Sequence, residues 1–487
     1  MPESLLPCTA RSSTTNGGFS QASLEASPCE HRQDRVTINT LPDDVLVEIF
    51  YFHVNHWGIR TNGWHTLVHV CRRWRHVVFA SPRRLNLGIK YKGSRPMSDV
   101  LDVWPVVPVV IRDPAREVQK SWENVVGALE HHHRIREIRF LSCIPKSQWE
   151  RLAAAMLKPF PELTYLWLST RDNAVTSLSD PLLGGSAPLL RHLSVRYCAF
   201  PGIPKLLLSA NQLVYLHLWD IPRSGGISPQ DLGTALSAMS RLEDLRLGFE
   251  SPLSPESRPL PPLTRSVLPA LTRLEFEGVH GYLEDLLAQI EAPLLNKLIV
   301  WFDMNLDFVV PQLRRLISQT ESFKTCDTAF VYTSVREIDL IILRSTKPSP
   351  GLSLQIMGRV LNSQLASLAQ ICGSSFPPLS TLVQLDILEG APRQHSEDDM
   401  ETAQWLELLD PFTAVKDLRL SREVGRHVCQ ALERLAVERV TDFLPALQNI
   451  FFNGLRPSET VPEYIEGFVA ARKLSGHPVA IQRWGGI

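Results

Sequence analysis

Apolar residues in this chain recur in two rhythms. Between Leu41 and Val78 they fall at helical spacing: Val45, Leu46, Ile49, Phe50 and Phe52 in one segment, then Leu67, Val70, Cys71, Trp74, Val77 and Val78 in a second. Pro42 suits the first helical position, where a missing N–H costs nothing, and Asp43 and Asp44 place negative charge in the first turn. Arg72, Arg73 and Arg75 fall off the second apolar face. From Ile135 onward a different unit repeats. It reads apolar-x-x-apolar-x-apolar and starts at Ile135, Leu163, Leu190, Leu213, Leu242, Leu271 and Leu295, at steps of 23 to 29 residues. Further copies start at Val335, Leu382, Val415 and Leu447, with steps lengthened by insertions, which loops accommodate cheaply.

The second rhythm lies within the roughly 20–29 residue period of leucine-rich repeats. Its mechanical meaning is a strand with an apolar inner face, followed by a return along the other side through a helix or irregular segment. One repeat cannot bury that face, so the repeats stack. Pro161, Pro188, Pro269 and Pro293 precede copies and break any preceding helix. Cys143 and Cys198 stand three residues after Phe140 and Val195, where the repeat consensus takes Asn or Cys to cap the turn off the strand. Both therefore read as structural.

Other elements follow from local pattern. Leu85–Ile89 and Val106–Ile111 read as short buried strands, and Glu117–His131 as a helix with Val118, Trp122, Val125, Val126 and Leu129 on one side. His131, His132 and His133 are adjacent, so they point in different directions and lack the spacing of a helical metal pair. Ser251–Pro262 and Gly390–Met400 read as solvated loops. Glu459–Gly476 reads as a helix that, with Val479–Ile481 and Trp484, caps the array.

The first apolar segment carries a family resemblance. Leu41-Pro42, then Leu46, Ile49 and Phe50, then Val70-Cys71-Arg72-x-Trp74 resemble the F-box motif in the right order. The gap from Asn55 to Trp64 is longer and richer in Trp, His and Gly than the usual linker. The C-terminal end likewise resembles fungal F-box proteins with leucine-rich repeats. The resemblance implies that Leu41, Pro42, Leu46, Ile49, Phe50, Val70, Cys71 and Trp74 form the surface facing a Skp-type adaptor, or the core supporting it. The rest of the chain then recruits a target protein to an SCF-type (cullin–RING) ubiquitin ligase. A helical unit of this size buries too little surface to stand alone, so its apolar faces are expected to be completed either by the rest of the chain or by another protein.

The expected architecture is α/β. Residues 1–35 form a disordered tail, residues 36–84 a small helical F-box-like module, and residues 85–487 an irregular leucine-rich-repeat solenoid with strands parallel inside and helices outside. Composition narrows the function. Lys plus Arg is 50 against 51 for Asp plus Glu, so a net charge of −1 supplies no general field for nucleic acid or anionic membrane. The eight cysteines form no CxxC pair and suit a reducing compartment. The N-terminal residues lack the basic start and apolar run of a signal peptide, and no apolar stretch reaches membrane-spanning length. The expectation is a cytoplasmic or nuclear protein. No phosphate loop, dinucleotide fingerprint, HExxH or GxSxG occurs, so the expected protein is not an enzyme and carries no cofactor or metal. A site assembled from distant parts of the chain would leave no such local trace. The alternative to the ligase receptor is a repeat scaffold with no part in degradation.

Overall fold

The computed structural model describes residues 37–484 apart from 57–62, 83, 86, 104–106, 115–118, 143, 171–176, 178, 180, 200–202, 223–224, 250–264, 304–308, 335, 359–360, 374–376, 390–401, 436–438 and 454–462. The chain divides into two compact units, Met1–Leu85 and Asn86–Ile487.

The first unit holds α1 (Asp43–His56), α2 (Gly63–Val68) and α3 (Arg72–Ala80). The Pro42 carbonyl accepts the Leu46 N–H at 3.0 Å, so Pro42 caps α1 one residue ahead of its expected place. Cys71 caps α3, its Sγ accepting the Trp74 N–H at 3.4 Å. Arg73 joins the two helices. It donates to Asp43 at 2.7 Å and to the Leu41 carbonyl at 2.5 Å.

The second unit is a repeat solenoid. Its strands are β1 (Ile89–Tyr91), β2 (Val109–Arg112), β3 (Ile135–Arg139), β4 (Tyr165–Ser169), β5 (His192–Arg196), β6 (Tyr215–Ile221), β7 (Asp244–Phe249), β8 (Ser266–Val267) and β9 (Arg273–Gly278). They continue with β10 (Ile290–Glu291), β11 (Lys297–Asp303), β12 (Thr328–Thr333), β13 (Glu337–Arg344), β14 (Lys347–Met357), β15 (Gln384–Glu389), β16 (Asp417–Leu420), β17 (Asn449–Asn453) and β18 (Ala480–Trp484). Helices α4 (Met97–Val103), α5 (Gln119–Ala128), α6 (Lys146–Ala155), α7 (Ile203–Ser209), α8 (Pro229–Leu236) and α9 (His280–Leu287) lie between the earlier strands. The later ones are α10 (Pro311–Gln319), α11 (Glu321–Lys324), α12 (Leu361–Cys372), α13 (Thr402–Leu409), α14 (Arg422–Glu433) and α15 (Glu466–Leu474). Among the described residues no helix is long and apolar enough to cross a membrane.

Sixteen of these strands form one sheet, and β8 pairs with β10 separately. The repeat pattern has a direct structural meaning. The second motif position forms a continuous buried row, Ile138, Leu166, Leu193, Leu216, Leu245, Leu274 and Leu298, each aligned with the next strand's partner. The third position forms a parallel row from Leu168 through Val195, Leu218, Leu247 and Phe276 to Val300. The first position closes a tight turn ahead of each strand: Leu163, Leu190, Leu213, Leu242, Leu271 and Leu295 each donate their N–H to the carbonyl three residues back. The following residue then donates to its counterpart one repeat earlier, as Arg191 does to Thr164, Val214 to Arg191 and Glu243 to Val214, at 2.8–2.9 Å. This satisfies backbone groups that burial would otherwise orphan.

The copy starting at Val335 departs from expectation. β13 is not a further parallel repeat. It runs antiparallel between β14 and β12, so the sheet order after β11 is β14, β13, β12, β15. The alternation of apolar residues sets which face is buried but is blind to strand direction. β13 lies between two reversals: before it Ser334 donates its N–H to the Glu337 carbonyl at 2.9 Å, and after it, at the Ser345–Thr346 turn, Asp327 accepts the Ser345 N–H at 2.8 Å and hydroxyl at 2.7 Å. β12 and β14 were not visible as separate strands in the pattern. The buried row nevertheless passes through the reversal from Leu298 to Leu352, Ile342, Ala329 and Leu385.

Other expectations meet the structure as follows. The helix expected over Glu117–His131 is α5, running into a 3-10 turn at Leu129–Arg134 that holds the three histidines; His132 Nδ1 lies 2.7 Å from the Pro159 carbonyl oxygen. Cys198 is buried, its Sγ donating to the Ala199 carbonyl at 3.5 Å. Cys143, the loops at Ser251–Pro262 and Gly390–Met400, and the N-terminal tail lie outside the described residues. The C-terminal helix begins as a 3-10 turn at Glu463–Ile465 and continues as α15. Its apolar Leu474 is 84% exposed. The fully buried side chain is Arg472, which donates to the Leu447 carbonyl at 3.1 Å in the turn before β17.

Neighbouring helices are tied by carboxylates that cap the next helix. Glu284 on α9 accepts the Gln312 and Leu313 N–H groups of α10 at 2.8 and 2.9 Å. Glu433 on α14 accepts those of Gly467 and Phe468 on α15 at 3.1 and 2.8 Å. A Cβ at Gly467 would collide with the Glu433 carboxylate. Glu433→Ala is expected to lower stability by about 1 kcal/mol, and Gly467→Ala by a similar amount. Because both remove the same cap, urea unfolding of the double variant should show little further loss.

Candidate functional site

Two surfaces carry side chains that the packing does not use. The first is on α1. Its expected single apolar face is in fact two. Leu46, Val47 and Phe50 are buried, with the Phe50 ring 4.7 Å from that of Trp74 at a tilt of 56°. Val45, Ile49 and Phe52 point the other way, at a spacing of four and three residues that keeps them on one helical stripe. Ile49 is 39% and Phe52 69% exposed. At about 100° per residue, adjacent apolar positions such as 45–46 and 49–50 cannot share one narrow stripe.

The eight residues singled out by sequence therefore fall into two sets. Leu46 and Phe50 are buried, Phe50 against the Trp74 ring, and Cys71 holds the start of α3. Leu41 is half-buried and accepts the Arg73 guanidinium. Pro42, Ile49 and Val70 are exposed, Val70 to 59%. The arginines beside this segment are partly engaged: Arg73 with Asp43, Arg75 with the Val68 carbonyl at 2.9 Å, and Arg84 with Glu48.

The second surface is the open face of the sheet in the second unit, made by residues that alternate with the buried rows. Reading across the strands, Tyr165, His192 and Tyr215 stack as a ladder, with ring centroids 4.6 and 3.9 Å apart. Arg139 lies 3.8 Å over the Tyr165 ring. The next row holds Trp167 and His217, 5.9 Å apart edge to face, and His217 meets Trp219 at 5.5 Å. Trp219 then meets Trp301 at 5.5 Å and 90°. Between them stands Gly248, where a Cβ would lie 3.0 Å from the Trp219 ring, so the glycine makes room for the indole.

Charges on this face are matched in place. Arg246 donates to both Asp244 oxygens at 2.9 Å and lies 3.2 Å from Glu275, while Arg273 pairs with Glu275. Glu137 and Arg139 pair at 2.8 Å. Burial, with the positive charge of Arg139 adding, pushes His192 down to about 4. Burial, with Arg246 and Arg196 adding, does the same to His217. Both imidazoles are neutral near pH 7, and His217 Nδ1 lies 3.2 Å from the Ser194 hydroxyl. The result is an aromatic, charge-balanced surface rich in Trp, Tyr and Arg, the residue types that dominate protein interfaces.

Sequence reading did not single out these residues. Their signal was present in the variable positions of the repeat, where Tyr165, Trp167, His192, Tyr215, His217, Trp219 and Trp301 recur. On the helical side, α12 and α13 with Arg439 and Phe443 line an open groove of about 720 Å³. Among the described residues no group of His, Cys, Asp or Glu is arranged to hold a metal.

No protein-family model matches the chain. No curated protein matches it. The crystal structure of the leucine-rich repeat-containing protein LegL7 from Legionella pneumophila is similar at 13% identity and a TM-score of 0.23, covering 80% of this chain and 98% of that one.

The lowered histidines fix a pH dependence. A histidine whose folded value lies below its unfolded value of 6.5 leaves the unfolded chain with more bound protons between the two, so stability falls as pH drops from about 6.5 to 4. Replacing His217→Gln is expected to flatten that fall. Thermal unfolding of both proteins at pH 7 and pH 5 checks it.

Proposed function

We propose that this chain is a non-catalytic substrate-recognition subunit of an SCF-type ubiquitin ligase. In this reading the first unit docks on a Skp-type adaptor, and the open sheet face of the second unit holds the target protein. The observation that carries it is the Val45–Ile49–Phe52 stripe, exposed on a helix whose opposite face is already buried with Trp74. A helix that satisfies its own core and still presents a second apolar stripe is built to enter a hydrophobic groove. Pro42 and Val70 extend the exposed apolar surface, and the resemblance of the Leu41–Trp74 segment to the F-box motif supports a Skp-type adaptor as the partner. Tethering a target beside the ubiquitin-charged enzyme raises its effective concentration, which requires no chemistry from this chain.

A second reading keeps only the sheet face, as a protein-interaction scaffold with no part in degradation. It is favoured by the aromatic rows, which need no adaptor to bind a partner.

Co-expression of the full-length chain with a Skp-type adaptor separates the two. Ile49→Asp with Phe52→Asp puts charge on two exposed side chains and leaves the buried Leu46 and the Phe50–Trp74 contact in place. Loss of at least about 2 kcal/mol of adaptor binding, roughly thirtyfold, is expected. Equal recovery of adaptor with both proteins overturns the ligase reading and leaves the scaffold.

A further inference from the structure

The open face continues beyond Trp301, and there its charge balance fails. Strand register sets Trp301, Gln355, Asp339 and Tyr332 side by side on β11, β14, β13 and β12. The rings of Phe330 and Tyr332, two residues apart on β12, lie nearly parallel, at 10° with centroids 6.0 Å apart. Asp339 Oδ1 is buried and accepts no hydrogen bond. On the same strand Glu337 accepts from the Gln355 side chain. One strand past Phe330 lies Asp386, fully buried, with Oδ1 accepting from Gln384 at 2.9 Å and Oδ2 3.8 Å from Arg419.

Three carboxyls, Glu337, Asp339 and Asp386, thus lie on the strands flanking β12, and among the described residues the ion pair they make is that of Asp386 with Arg419. The contrast with Asp244 and Glu275, each matched to an arginine on the same face, is direct. Burial first, then the negative charge of Glu337, pushes the Asp339 carboxyl up to about 7. Burial and the charges of Asp386 and Asp339 raise the Tyr332 phenol. A part-buried carboxyl with no counter-charge is costly, and a cation arriving from outside would relieve that cost.

We infer that Asp339, with the Phe330 and Tyr332 rings, receives an arginine side chain of the bound target. The guanidinium fits this arrangement better than an ammonium. It is planar, stacks on aromatic faces, and presents a fork of donors to a carboxylate. Trp301 and Asp339 are two strands apart, about 10 Å at the usual spacing, which four residues of an extended target chain span. The target segment would therefore carry an aromatic or apolar residue for the tryptophans and an arginine within about four positions of it. This inference rests on the open face being the target surface.

The test uses the full-length chain and a short fluorescein-labelled peptide bearing a tryptophan and an arginine four positions apart, with a citrulline version as the neutral isostere. Anisotropy at pH 8 is expected to show at least tenfold tighter binding of the arginine peptide. Asp339→Asn, nearly isosteric, is expected to abolish that preference, and pH 6 to weaken it as Asp339 takes up its proton. Trp301→Ala is expected to weaken both peptides alike. Equal binding of the two peptides, a preference that survives Asp339→Asn, or no measurable binding of the arginine peptide overturns the arginine site. Dependence on Trp301 with no arginine preference overturns the arginine site alone. Indifference to Trp301 combined with an arginine preference lost in Asp339→Asn upholds the site and sinks the larger aromatic face as target surface.

Discussion

The second unit depends on one constraint: each strand must present its apolar side chains in register with those of the strand before it. A single repeat cannot bury its own apolar face, and only stacking removes that face from water. The rows that run from Ile138 to Leu298 and from Leu168 to Val300 meet this demand. The turn ahead of each strand meets the accompanying polar demand, since the Leu163, Leu190 and Leu213 N–H groups close it and the next N–H reaches the previous repeat. The reversal at β12–β14 shows which requirement is stronger. Strand direction changes there, while the buried row through Leu352, Ile342 and Ala329 stays aligned.

The same alternation frees the other face. Every second residue of a strand points away from the core, so its identity is not dictated by packing. In this chain those positions hold rings and matched charges from β3 to β11, and at β13 the carboxyls of Glu337 and Asp339, without an ion pair among the described residues. The rigid ladder beneath holds these side chains at fixed spacing, which makes the face suited to recognition. The first unit obeys a related logic at smaller scale. Its helix α1 uses Leu46 and Phe50 for its own core and leaves Ile49 and Phe52 outside. The two faces coexist because a helix turns adjacent residues by about 100°.

The repeat strands were legible because their signal is local and recurrent. Leu190-x-x-Leu193-x-Val195 looks the same in the sequence as in the sheet, and so do its neighbours. β12 and the direction of β13 were not legible, because antiparallel pairing depends on the reversals on both sides of β13, at Ser334–Glu337 and at Ser345–Thr346, the latter anchored by Asp327, eighteen residues back. The eight residues of the Leu41–Trp74 segment were found by pattern, but not their division into a packed and an exposed set. That division depends on which face of α1 meets Trp74.

By itself, the sequence determined that there would be stacked strands, which leucines they would bury, and that an apolar helical segment would precede them. Each of these follows from periodicity, which a chain carries along its length. The tertiary structure alone decided which outward-facing side chains become neighbours: Trp219 with Trp301 over Gly248, and Asp339 with Tyr332. Such neighbours come from strands tens of residues apart, and their meeting is set by register and sheet order, which no single stretch of chain encodes.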